Sequence, residues 1–239
     1  CRRANTPRVL MMLSSSSNNR GFTLIEMAIV MVILGALIGG LLVPLASQRE
    51  VNQRKAAAQL LQELRQALLG YAVIHGALPC PASATSNGAE APRTGANGCS
   101  LANGFVPYAL LGMQASIKNG VLVDPWQGNV RYSLSPANNW VYAQSIPLTS
   151  AVATTLRVCD SSPCTAANTL AANLAAVLVS TGPDGNNQPA STSPDQVANA
   201  AGGPSFISRE PSALSGSEFD DQLVWLAQAS LVYELSKVK

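Results

Sequence analysis

The run from Met27 to Ala46, 20 residues without a charge that follow the carboxylate of Glu26, constrains this chain more than any other feature. At ~1.5 Å per residue, such a run crosses a ~30 Å hydrocarbon core as a helix. A carboxylate within a span is costly, roughly 2.5–3.5 kcal/mol at the bilayer centre, and an ionisable group at the edge of one calls for a named partner. The partner expected here is a positive charge on a neighbouring copy or a related subunit. Residues 1–20 carry Arg2, Arg3, Arg8 and Arg20 and no acidic residue, so the positive-inside rule keeps them cytoplasmic and sends the chain outward after the span. Ser14 to Asn19 is polar and reads as unordered. No clean small-x-small cleavage site closes the apolar run, Leu45-Ala46-Ser47 being only weakly permissive. The small residue Gly21 precedes the run instead, between Arg20 and Phe22. Cys1 in place of Met reads as an incomplete or differently placed start.

The heptapeptide Arg20-Gly21-Phe22-Thr23-Leu24-Ile25-Glu26 closely resembles the prepilin peptidase signal of type IV pilins and type II secretion pseudopilins, and the likeness continues through the hydrophobic helix. The resemblance implies removal of residues 1–21 by prepilin peptidase, with Gly21 and Phe22 flanking the cut, and N-methylation of Phe22. It implies that Glu26 neutralises the Phe22 amine of an adjacent subunit as the helix leaves the bilayer for a fibre. It also implies single-pass residence in the bacterial inner membrane with a periplasmic globular domain. The partners it implies are the peptidase, an assembly platform and other pilins or pseudopilins.

The chain has 239 residues, 12% of them charged, and a net charge of +2. Without leader and span, roughly 190 residues remain, enough for one domain with a modest core. The absence of a Lys/Arg cluster beyond residue 65 argues against nucleic-acid binding. Four of the five cysteines, Cys80, Cys99, Cys159 and Cys164, follow the span, on the side where disulfides persist. Four cysteines allow three connectivities. The local pairing Cys80–Cys99 and Cys159–Cys164 is expected, because each pair brackets its own loop. A zinc site is disfavoured by the wide spacing and the sole histidine, His75.

The expected fold class is α+β, with a long N-terminal helix packed against an antiparallel β-sheet. Residues 22–47 form its transmembrane or fibre-core half, residues 48–76 an amphipathic spine, and residues 77–239 the globular domain. Val51, Ala58, Leu61, Leu64, Leu68 and Tyr71 recur at spacings of three, four and seven, an apolar stripe. The helix is expected from about Phe22 to about Ile74, interrupted or bent near Pro44, and ended by Gly76 with Pro79 beyond. His75 then lies in its last turn, at the negative end of the helix dipole. Leu78 to Pro107 is a loop without periodicity. Strands are expected at Val121–Val123, Asn129–Leu134 and Trp140–Ala143 as an antiparallel meander, and at Val152–Val158. Ala166–Ala176 reads as helix, Ala176–Ser180 as strand, Thr181–Ser217 as loop, and Phe219–Leu226 as the last strand before an amphipathic tail.

Two constellations carry chemistry. Asp124-Pro125-Trp126-Gln127-Gly128 resembles the Asp-Pro-Trp-Gly turn of pseudopilins with Gln127 inserted. Its expected role is structural, with Asp124 accepting backbone N–H bonds and Pro125 fixing the corner. Ser180 to Gly185 with Asp220-Asp221 resembles the calcium loop of major pseudopilins, which implies Asp184, Asp220 and Asp221 as hard oxygen ligands for calcium. The separation of Asp184 from Asp220 departs from that pattern. No other cofactor is expected. With one histidine, at a helix end, a Ser-His-Asp or Cys-His site has a single candidate base and nothing to recommend it, and no phosphate-binding glycine loop occurs. The expected activity is therefore assembly rather than catalysis. The alternative is a fibre-tip binding or adhesion module using residues 82–104 and 182–217.

Overall fold

The computed structural model describes residues 21–94, 98–113, 115–135, 155–185 and 193–237, and for residues 39–46 the backbone alone. All of the expected leader 1–21 except Gly21, and the expected strand Trp140–Ala143, lie outside the described residues. The chain divides into two compact units at Gln48–Arg49.

Helix α1 runs without interruption from Leu24 to His75. Its backbone stays helical through Pro44, where one i→i−4 bond is missing and the neighbouring turns keep theirs. Thr23 accepts the Glu26 N–H on its hydroxyl at 3.3 Å and on its carbonyl at 3.1 Å, so Thr23-x-x-Glu26 starts the helix as an N-cap with an acidic residue at the positive end of the dipole. The helix ends as the sequence reads. Gly76 adopts φ 66° and donates its N–H to the Ala72 carbonyl at 2.8 Å, a left-handed stop that glycine adopts without strain. His75 sits in the last turn with its ring 4.1 Å from that of Tyr71. The buried stripe of the second unit's part of α1 is Ala57, Leu61, Leu64, Leu68 and Ala72, at spacings of three and four. Val51 and Ala58, which the sequence placed on that stripe, are exposed: Ala58 lies one residue, about 100°, round the helix from Ala57.

The main sheet has six strands. Strand β3 is Asn103–Phe105, β6 Arg131–Leu134, β7 Leu156–Cys159, β8 Thr169–Ser180, β9 Ser205–Ile207 and β10 Gln222–Ala227. Two small hairpins accompany it, β1 (Arg93–Thr94) with β2 (Gly98–Cys99) and β4 (Ile117–Lys118) with β5 (Val121–Leu122). Strand β8 is the axis. Leu174 pairs with Leu156 of β7 and with Ala227 of β10, so those strands lie on opposite edges of β8. Strand β6 pairs with Val177–Val179 and Ala176, opposite β10. Strands β6 and β7 therefore follow one another along one edge, flanked outside by β3 and β9. The first turn of the expected meander forms in part, with Val123 bridging Asn129 antiparallel and the Val130 N–H donating to the Leu122 carbonyl at 3.0 Å, while β6 itself bonds to β3 and β8. The sheet is mixed rather than antiparallel, since β9 runs parallel to β7. Helix α2 (Pro194–Ala201) turns the chain back before β9, which sets that direction.

Ala166–Ala176, expected as helix, is a short 3₁₀ turn (Ala166–Asn168) followed by the first half of β8. Its pairing on both edges outweighs alanine's helix propensity. A bulge at Ala175 turns Ala175 and Ala176 to the same face, where they pack with Leu61, Leu64 and Leu68 of α1, and small side chains suit that close packing. Leu174, Val177 and Val179 point the other way, onto Leu156, Val158 and Phe206. Helix α3 (Gln228–Ser236), the expected amphipathic tail, adds Leu231 and Leu235 to the helix-facing core. Tyr132, fully buried in that core, donates its hydroxyl to the Pro79 carbonyl at 3.1 Å, which secures the chain just beyond α1.

Candidate functional site

The N-terminal determinants are presented openly. Phe22 is 78% exposed and Leu24 89%, and Ile25, Met31, Val32 and Ile38 are exposed with them. Apolar residues all round a helix signal surroundings that are themselves apolar. Glu26 lies in the first turn, exposed, one helical turn from Phe22. Among the described residues, no helix is long and apolar enough to cross a membrane. Eight of the 20 residues of the expected span, 39–46, lie outside the described side chains.

Both expected disulfides form. Cys80–Cys99 and Cys159–Cys164 each have Cα atoms 5.6 Å apart, within the range a bridge spans without backbone strain. The loop from Leu78 to Pro107 is better organised than its sequence suggests. Glu90 accepts the Cys80 N–H at 2.9 Å and forms an ion pair with Arg93 at 3.0 Å, while Ala82 bridges both Glu90 and Phe105. The two candidate binding surfaces meet: a Cβ added at Gly202 would lie 3.0 Å from that of Asn103.

The Asp124 turn is built as expected. Asp124 Oδ1 accepts the N–H groups of Trp126 at 3.0 Å and Gly128 at 2.8 Å, and Oδ2 accepts the Ser180 hydroxyl at 2.7 Å. The inserted Gln127 takes the left-handed conformation, φ 69°. Burial raises the Asp124 pKa above its ordinary value, against the pull of these three bonds. The Ser180 bond ties the turn to the end of β8, where the acidic loop begins.

Asp184, Asp220 and Asp221 each bring a carboxylate oxygen into one cluster, all within 4.8 Å of one another. The chain makes room for this approach at Gly182, whose φ is 66° and where an added Cβ would lie 2.7 Å from Asp220 Cγ. Helix α2 completes the surroundings. Gln196 Nε2 donates to Asp184 Oδ2 at 2.9 Å and to Asp220 Oδ1 at 3.0 Å, and Asn199 Nδ2 donates to Asp221 Oδ2 at 2.7 Å. Asp184 Oδ1 and Asp221 Oδ1 are buried without a hydrogen-bond partner among the described residues. Burial, then the charge of Asp184, raises the Asp220 pKa to about 6. Burial pushes Asp221 up to about 8, against the Asn199 bond. Ionised carboxylates this close repel, and a divalent cation relieves both the repulsion and the orphaned oxygens. The residues fit a hard cation.

The sequence reading missed Gln196 and Asn199 because 182–217 reads as loop. The signal was present in Ser193-Pro194-Asp195: Ser193 stands at the N-cap, Pro194 in the first turn, and Gly202 ends the helix in the left-handed conformation. Asn199 also protects the edge of the sheet, since its amide donates to the Ile207 carbonyl at 3.0 Å and accepts the Ile207 N–H at 2.7 Å.

No curated protein and no solved structure matches the chain. A family model described as the prokaryotic N-terminal methylation motif matches residues 16–42. The exposed Phe22, the Thr23 cap and the first-turn Glu26 all fall inside that match. Residues 16–42 thus carry the signal of type IV pilins and pseudopilins.

Proposed function

We propose that this protein is a structural subunit, a pseudopilin or minor pilin, of a type II secretion or type IV pilus-like fibre in the bacterial envelope. Prepilin peptidase cleaves it after Gly21 and methylates the new Phe22 amine. The single observation that carries the reading is the methylation motif on a helix whose apolar side chains from Phe22 to Ile38 are exposed. Those side chains are covered first by the inner membrane and then by the same helix of neighbouring subunits. Glu26 pairs with the Phe22 ammonium of the next subunit. At 4 Å and an effective dielectric of about 20, that pair is attractive by up to about 4 kcal/mol before desolvation, and removing one partner strands the other in an apolar fibre core. Glu26→Leu is expected to insert in the membrane at wild-type level and to be depleted from sheared fibres, measured by immunoblot of membrane and fibre fractions. Wild-type incorporation of Glu26→Leu contradicts the assembly role.

The acidic cluster gives the globular domain its cation site, with Asp184, Asp220 and Asp221 as ligands for calcium. The orphaned Asp184 Oδ1 and Asp221 Oδ1 support this. Calcium is expected to raise the thermal unfolding midpoint of the wild-type protein relative to chelator, and Asp221→Asn to abolish the rise. An identical midpoint in calcium and in chelator removes the site from the account.

A further inference from the structure

Helix α2 stands where the chain departs from the pattern it resembles, between Asp184 and Asp220, and it aims a polar side chain into the acidic cluster. Gln196 is 1% exposed. Its Nε2 donates one hydrogen to Asp184 and the other to Asp220, so the nitrogen lies between the two carboxylates that a shared cation would also contact. We propose that Gln196 is a built-in competitor for the cation, a neutral clasp that closes the acidic cluster when no cation is bound and must leave when one enters. This rests on the reading of the cluster as a cation site.

Three observations support it. First, the amide nitrogen does for Asp184 Oδ2 and Asp220 Oδ1 what a cation would do, but it brings no charge and leaves Asp184 Oδ1 and Asp221 Oδ1 orphaned. The clasp is thus a partial substitute. Second, the clasp is mounted on a held element. Asp195 accepts the Ser162 N–H at 2.8 Å on one oxygen and pairs with Arg209 at 2.7 Å on the other. Asn199, three residues beyond Gln196 and so on the same helical face, grips Ile207 of β9 as well as Asp221. These anchors lie on either side of Gln196, so α2 can stay in place while the Gln196 side chain alone rotates away. Third, an amide group carries two donors on one end and an acceptor on the other, and here the donor end faces the carboxylates. A cation cannot share that position with N–H groups pointing at it.

The sign of the effect follows. The clasp stabilises the cation-free state and contributes nothing to the loaded one, so it weakens cation affinity. The domain keeps its acidic edge closed without a cation, and binding is confined to compartments rich in divalent ions, where extracellular calcium modules with 10⁻⁴–10⁻³ M affinities operate.

The test is calorimetric titration of the full chain in detergent with CaCl₂, for the wild type, Gln196→Ala, Gln196→Met and Asp221→Asn. Gln196→Met keeps the side chain's volume and removes the donors. Both Gln196 variants are expected to bind calcium several-fold more tightly than the wild type while unfolding at lower temperature in chelator, and Asp221→Asn to bind more weakly. Binding by the two Gln196 variants alone also supports the clasp. Weaker binding by both Gln196 variants makes Gln196 a ligand and overturns the proposal, as does unchanged affinity. No binding by any protein overturns the cation reading itself and the competition with it.

Discussion

Asp124 illustrates how much one carboxylate organises. Its two oxygens accept from Trp126, Gly128 and Ser180, and the turn it closes is held to α1 where Gln53 donates to the Pro125 carbonyl at 3.4 Å. Burial is the larger influence on its pKa and raises it. A carboxyl whose folded pKa lies above its unfolded value contributes stability below the unfolded pKa, near 3.9, and loses it as pH rises through the folded value. The Asp124→Asn variant has no such titration. The stability advantage of the wild type over Asp124→Asn is therefore expected to shrink between pH 4 and pH 7, as read from urea unfolding at the two values. An advantage that grows over that interval would mean that the three hydrogen bonds, and not burial, dominate this site.

Among the elements, the disulfide loop, helix α2 and strand β8 were legible to different degrees. The Cys80–Cys99 bridge followed from spacing alone because both cysteines bracket one segment. Replacing both by serine is expected to cost roughly 2–5 kcal/mol and to open residues 81–98 to proteolysis, leaving the helical far-UV signal in place. An unchanged unfolding midpoint with an uncut loop would show that the Glu90–Arg93 pair and the Ala82 bridges hold it alone. The end of α1 was legible because Gly76 is a local stop needing no tertiary information. Strand β8 was not, because the alanines from Ala166 to Ala176 favour helix locally and are overruled by two flanking strands far away in sequence. Helix α2 was hidden by composition: a short helix within a Gly/Pro/Asn/Ser segment lacks a long apolar stripe, and only its Ser193-Pro194 start and Gly202 stop mark it. The acidic cluster shows both sides at once. Its three aspartates were found by resemblance, while Gln196 and Asn199 depended on seeing α2.

On the scale of the whole molecule, the two units present opposite surfaces. The second, from Arg49 onward, buries apolar residues on both faces of one sheet, with α1 and α3 on one face and the cluster of Leu156, Val158, Val177, Val179 and Phe206 on the other. The first exposes nearly every apolar residue from Phe22 to Ile38. A chain that encloses one core and leaves the apolar residues from Phe22 to Ile38 uncovered fits the proposed apolar surroundings, and the methylation motif at residues 16–42 supports the proposed processing after Gly21. The central claim is that processing. Intact-mass and N-terminal peptide mass spectrometry of the protein recovered from bacterial membranes with an active prepilin peptidase tests it most directly. The account predicts a chain beginning at N-methyl-Phe22, and no such chain from Gly21→Leu, whose bulk at the scissile bond blocks the cut. Retention of residues 1–21, or an N-terminus beyond Ala46, would contradict it.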